Sequence, residues 1–158
     1  MTEIREVSDP VEKSNICNDV LRSLPDWFGI ESSIVNYVKH VRSMPFYAAF
    51  NDDKTIGFVA LKIHGHFTSE VYVMAVLKEY HRQGIGRMLI EHCEMLCRKF
   101  ETEFLTVKTL DGSIEDQYYE KTRLFYLSVG FRPLEVFPLL WNNDNPCLFM
   151  AKVVSRFE

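Results

Sequence analysis

Residues 70–100 constrain the fold more than any other part of the chain. The apolar run Glu70-Val71-Tyr72-Val73-Met74-Ala75-Val76 is followed by Tyr80-His81-Arg82-Gln83-Gly84-Ile85-Gly86-Arg87 and then by the strongest helical stretch of the sequence, Gly84 to Phe100. Within that stretch Ile85, Met88, Leu89, Cys93, Leu96 and Phe100 recur at the steps a buried helical face requires. The preceding run is apolar on both faces at its end, which predicts a central strand. Glycines between such a strand and such a helix let the backbone turn sharply and approach a ligand closely. The first N–H groups of the helix have no partner within it and the dipole is positive there, so the turn is an anion site suited to a pyrophosphate. Arg82 and Arg87 can add charge-assisted contacts to phosphate oxygens. A ligand-free tight connection would use the same two glycines, so the pair needs support from elsewhere. No Gly-Lys-Ser/Thr follows, and the three-glycine dinucleotide fingerprint is absent.

The remaining periodicity supplies the frame. Glu3 to Val7 alternates as a strand, and Ser8-Asp9-Pro10 is a helix start. Ile16, Val20, Leu21 and Leu24 then follow at helical spacing until Pro25. A second helix is predicted over Ser32 to Arg42. Phe46 to Phe50 and Ile56 to Ile63 read as two strands joined by a polar turn, and His64-Gly65-His66 leads into the central strand. Phe104 to Val107 reads as a strand, Tyr119 to Val129 as a helix, and Phe131 to Leu140 and Cys147 to Val153 as two closing strands. Hairpins followed by strand–helix–strand units predict an α/β sheet with helices on both faces. A 158-residue chain with 47% hydrophobic residues, including 12 Phe and 7 Tyr, fits one domain over residues 1–158.

Charge and cysteine usage narrow the partners. The net charge of −4 argues against a polyanion, since nucleic-acid binding draws on clustered Lys and Arg. No run is apolar enough for a membrane span, and the first residues lack a signal-peptide core, which predicts a cytoplasmic location. Cys17, Cys93, Cys97 and Cys147 form no CxxC pair. His92 beside Cys93 and Cys97 has no second ligand pair of zinc-site spacing, so no metal is expected.

These residues in this order resemble the GNAT superfamily of acetyl-CoA-dependent N-acyltransferases. Glu70 to Val76 is similar to the family's fourth strand. His81-x-x-Gly84-x-Gly86 is similar to its Arg/Gln-x-x-Gly-x-Gly/Ala pyrophosphate loop, and the amphipathic helix follows. Thr122-Arg123-Leu124-Phe125-Tyr126-Leu127-Ser128-Val129-Gly130-Phe131 resembles its late helix ending in Phe-Tyr-x-x-x-Gly-Phe. Two departures stand out: His81 replaces the usual Arg or Gln, and Lys108-Thr109 occupies the region where an Asn is common. The resemblance implies a mixed, mostly antiparallel central sheet with helices on both faces. It implies acetyl-CoA as co-substrate, held by Met74, Ala75, Val76, His81, Arg82, Gln83, Gly84, Ile85, Gly86, Arg87 and Tyr126.

The chemistry assigns roles to further residues. An alkylammonium must lose a proton before it attacks. The resemblance offers Glu70 as that base, with a water relay as the alternative, and strand alternation puts Glu70 on the side of Tyr72 and Met74. A backbone N–H among Met74 to Val76 is the implied oxyanion donor, and the pantetheine arm would pair there like an added strand. Tyr126 is the candidate acid for the departing thiolate. Cys147 as a nucleophile would require a two-step scheme, whereas the family transfers directly. For the acceptor, Asp26 and Trp27 lie on the bent link between the first two helices, and Trp141 lies near the other end of the chain. With Glu70 they form the predicted amine-binding set, and the acidic balance favours a small-molecule amine over a protein amine. Phe137 to Trp141 supplies an apolar patch through which a homodimer could form. The rival reading is a non-catalytic acyl-CoA-binding regulatory module, which would keep Gly84 and Gly86 but need neither Glu70 nor Tyr126.

Overall fold

Asp9 and Pro10 open the first helix. The Asp9 carboxylate accepts from the N–H of Glu12, and Pro10 occupies the first helical position, where its missing N–H costs nothing. The computed structural model describes residues 1–154. They form β1 (Thr2–Glu6), α1 (Pro10–Arg22), α2 (Glu31–His40), β2 (Phe46–Asn51), β3 (Lys54–Ile63), β4 (Thr68–Val76), α3 (Ile85–Lys99), β5 (Phe104–Leu110), α4 (Gln117–Ser128), β6 (Arg132–Asn142) and β7 (Asn145–Val153). Short 3₁₀ turns cover Val41–Ser43 and Lys78–Tyr80.

The seven strands form one mixed sheet in the order β1-β2-β3-β4-β5-β7-β6. Only β4 and β5 run parallel; every other neighbouring pair is antiparallel. The central position of β4 agrees with the expectation from its apolar run, and the mostly antiparallel sheet with what the resemblance implied. On one face Ile85, Leu89 and Cys93 of α3 and Tyr126 of α4 pack against Val71, Leu105 and Val107. On the other, Ile16, Val20 and Leu21 of α1 and Ile34 of α2 cover Phe46, Phe58 and Val73. Phe46 and Phe58 are fully buried and stack 5.2 Å apart, and burying a side chain of that size contributes about 2–3 kcal/mol.

Two details differ from the periodicity. The inward face of α3 is rotated from the predicted stripe. Ile90 and Cys97 are buried, whereas Phe100, beyond the last helical residue, is 53% exposed. The second difference is a bulge. Ala60 of β3 is opposite Val73, but the next residue, Leu61, is opposite Val71, so Tyr72 is the extra residue on β4. Strict alternation would put Met74 on the face of Tyr72 and Glu70. The bulge reverses the parity: Tyr72 packs with the α1/α2 core while Met74 packs with the α3/α4 core.

Candidate active site

The site is built where the two parallel strands part. Register partners run from Thr68↔Phe104 to Val71↔Val107 and stop. Residues 72–76 of β4 and 108–110 of β5 continue without pairing to each other, which leaves a cleft between them. Leu77 donates its N–H to the Ile56 carbonyl on β3. Ladder alternation therefore turns the N–H groups of Met74 and Val76 away from β3 and into the cleft. The bottom of the parted segment of β5 holds Thr109 Oγ1, the buried side-chain oxygen with no hydrogen-bond partner among the described residues. An orphaned buried hydroxyl calls for a ligand or water, and a polar arm lying in the cleft would provide one.

At the end of the cleft stands the start of α3. Asp9 caps α1 and Asp116 caps α4, where it accepts from the N–H groups of Tyr118 and Tyr119. Gly84, in the left-handed region at φ 81°, opens α3 with no side-chain cap. Helices α1, α2 and α4 carry Glu12, Glu31 and Glu120 in their first turns; α3 carries no acidic residue there and has Arg87 instead. The first turn of α3 thus supplies no anion of its own to its positive end. Arg82, also left-handed at φ 62°, is exposed beside it. The residues fit a diphosphate: free amides, an open approach at Gly84, where an added Cβ meets nothing within 4 Å, and two arginines.

The second glycine has a different physical reason. A Cβ at Gly86 would lie 2.9 Å from the Phe125 ring of α4, so the missing side chain is what lets α4 close against α3. His81 is likewise committed inside the protein. Its Nε2 lies 2.6 Å from the Val76 carbonyl, which makes it the donor to that oxygen, and its ring meets Trp27 edge-on at 5.4 Å. Gln83 donates to the Glu79 carbonyl and Arg87 to the Ser128 carbonyl, both at the protein surface.

Glu70 is buried on β4. It is 5% exposed, with Oε1 at 2.6 Å from His64 Nε2 and 3.1 Å from Lys108 Nζ. Tyr126 is also buried, with Phe131 edge-on at 5.5 Å. Burial pushes its phenol well above the ordinary tyrosine value, with Tyr119 and Tyr37 adding to the shift, so it stays protonated and available as a donor. Burial also pushes the Cys147 thiol up to about 11, although Lys108 opposes the shift. The thiol is fully buried and protonated at neutral pH, contrary to a role as nucleophile.

The link between α1 and α2 is pinned to the start of α4. Trp27 Nε1 donates to the Tyr118 carbonyl at 3.2 Å, and the Tyr119 hydroxyl donates to the Trp27 carbonyl at 2.5 Å. Asp26 beside it is exposed. Trp141, 44% exposed, stands apart on the outer strand β6. Sequence reasoning missed His64 and Lys108 as partners of Glu70, and Tyr119 as the clamp on Trp27. The first pair was legible in principle, since both lie two residues from Glu70's register partners in the adjoining strands.

A surface cavity of about 640 Å³, lined by Asp9, Glu12, Asp19 and Asp53 among others, includes no residue of β5, α3 or α4, so it is not the thioester site. Among the described residues no cluster of His, Cys, Asp or Glu has the arrangement of a metal centre, and no helix is long and apolar enough to cross a membrane.

Comparison with known proteins agrees with this geometry. An uncharacterized N-acetyltransferase of Chlorobaculum tepidum is 26% identical over 121 residues, covering 75% of this chain and 70% of that protein. A GNAT-family acetyltransferase structure from Desulfovibrio desulfuricans superposes with a TM-score of 0.79 at 20% identity, covering 98% of this chain and all of the other. The PaiA N-acetyltransferase of Thermoplasma acidophilum, solved with coenzyme A, superposes at 0.73 and 20% identity over 97% and 99% of the two chains. At these identities the structural likeness speaks for the fold. The sequence profile of the acetyltransferase (GNAT) domain matches residues 42–133, more than half of the chain and the whole stretch from β2 to the start of β6. The chain therefore belongs to the GNAT family and is an N-acetyltransferase that takes its acetyl group from acetyl-CoA.

Proposed function

We propose that this enzyme acetylates a primary amine of a small molecule by direct attack within a ternary complex. The observation that carries the reading is the uncapped start of α3 at the mouth of the β4–β5 cleft. In this reading the diphosphate lies on the amides of Gln83 to Arg87, and the pantetheine arm runs along Met74 to Val76. The thioester oxygen then accepts from a β4 N–H that folding has already fixed, which avoids reorganisation during the reaction. Tyr126 protonates the leaving thiolate, and the proton acceptor for the amine is built around Glu70. His81 contributes its backbone only, because its imidazole is held by Val76. Direct attack is supported by the burial and protonation of Cys147.

For the acceptor, exposed Asp26 beside Trp27 supplies a carboxylate and an aromatic wall suited to a small cation. Glu31 is engaged by Arg22 in a two-point ion pair at 2.8 and 2.9 Å. The fold alone is neutral on the acceptor, since structural neighbours include an aminoglycoside 6′-N-acetyltransferase and the ribosomal-protein-S18-alanine N-acetyltransferase of Escherichia coli. The proposal extends to a homodimer through β6, the sheet's edge strand, where Leu134, Leu139 and Leu140 are more than half exposed.

Two assays test the reading together. Coenzyme A at 100 times its dissociation constant should stabilise the protein by about 2.7 kcal/mol, a rise in Tm of roughly 5–10 °C for a chain of this size. Thiol release from acetyl-CoA should accelerate with spermidine or kanamycin rather than with an alanine-initiated peptide. A thermal shift with no turnover on any amine would favour the regulatory module. Preference for the peptide would favour a protein amine.

A further inference from the structure

Resting on the proposed reaction, we infer that His64 is the group that takes the amine's proton, and that Glu70 works through it as a positioning residue. Both oxygens of Glu70 already have partners inside the protein. Oε1 is shared between His64 Nε2 at 2.6 Å and Lys108 Nζ at 3.1 Å, and Oε2 lies 3.3 Å from the same ammonium. Its side chain is 7% exposed, whereas that of His64 is 38% exposed. The reachable end of the pair is therefore the imidazole.

Backbone register explains why the three groups meet. Lys62 is Glu70's direct partner on β3, and His64, two residues on, is the diagonal neighbour on the same face of the sheet. Thr106 is the direct partner on β5, and Lys108 is again two residues on. Lys108 is also the first residue past the last β4–β5 register pair, so the cluster sits at the base of the cleft. The other groups facing the carboxylate are Tyr37 of α2, Tyr72 of β4 and Cys147 of β7.

A carboxylate accepts only, so at 2.6 Å the Nε2 of His64 must carry the hydrogen. In the neutral ring that leaves the Nδ1 lone pair as the proton acceptor. The balance is simple. The amine nitrogen bonds to the thioester carbon, and its proton passes to Nδ1. The imidazolium so formed is stabilised by Glu70. The C–S bond then breaks, Tyr126 gives its proton to the thiolate sulfur, and the proton held by His64 passes through solvent to restore the tyrosine. Lys108 Nζ, within 3.1 and 3.3 Å of the two Glu70 oxygens, holds the carboxylate in place.

The test uses the full chain. Imidazole ¹⁵N spectra of the free protein near pH 8 should show His64 as the Nε2–H tautomer, and Glu70→Gln should remove that preference. His64→Ala should lower kcat by roughly 10²–10⁴-fold with unchanged coenzyme A affinity, and added imidazole should restore part of the rate. Glu70→Gln should lower kcat and leave KM for acetyl-CoA in place. An Nδ1–H tautomer, or His64→Ala turning over within about threefold of wild type on the best amine, would overturn the assignment. The tautomer is read without substrate, so a chain that binds coenzyme A but accepts no amine in the panel would count against the proposed reaction and leave the tautomer result to judge the dyad.

Discussion

Single residues around the α3 start carry opposed demands of stability and binding. Arg82 is a non-glycine residue at φ 62°, a conformation that costs roughly 1–2 kcal/mol for a side chain with a Cβ. Arg82→Gly should therefore raise the denaturation midpoint while weakening coenzyme A, because the strain is relieved and a phosphate contact is lost. A variant that loses both stability and affinity would show that Arg82 has a structural role the loop geometry does not suggest. Gly86→Ala pushes a methyl against the Phe125 ring and should cost about 1–3 kcal/mol in a urea titration. The cysteines supply a chemical readout. All four are buried, and burial pushes Cys17 up to about 12 and Cys97 and Cys147 up to about 11. A raised thiol pKa means less thiolate in the folded than in the unfolded chain. At pH 8 an aromatic disulfide reagent should react slowly with the native protein and stoichiometrically in denaturant.

At the scale of elements, aspartates cap α1 and α4, α2 has no side-chain cap but carries Glu31 in its first turn, and α3 has neither a side-chain cap nor an acidic residue there. Asp116 holds two N–H groups at the start of α4, the turn that also grips Trp27. Asp116→Ala should cost about 1 kcal/mol and loosen the α1–α2 link, seen as faster hydrogen exchange at Trp27 and Phe28. Much of this was legible in the chain: Asp9-Pro10, the glycine turn and the order of elements along the chain each rest on a local signal that the structure keeps. What was not legible depends on neighbours. The bulge at Tyr72 arises from the pairing of β3 with β4, so alternation alone put Met74 on the wrong face. The partners of Glu70 come from the end of β3 and from β5, which only the sheet brings together. Phe125 at Gly86 is a helix-on-helix contact that no local pattern encodes.

The described residues form one sheet whose parallel pair, β4 and β5, parts into the cleft proposed to hold acetyl-CoA. Antiparallel strands on either side hold β4 and β5 at fixed positions, and the helices cover both faces, so the cleft is prepared before any ligand arrives. Its chemistry is distributed along its length: the cationic α3 start at one end, free β4 amides and the Thr109 hydroxyl in the middle, and the Glu70 cluster at the base. The claim on which the account turns is that the α3 amides bind the diphosphate of coenzyme A. A ¹H–¹⁵N titration with coenzyme A tests it most directly. The amides of Gly84, Ile85 and Gly86 should shift strongly and saturate together, with smaller changes at Met74 and Val76. Saturable binding that leaves those three amides unmoved, or no binding at all, would contradict it.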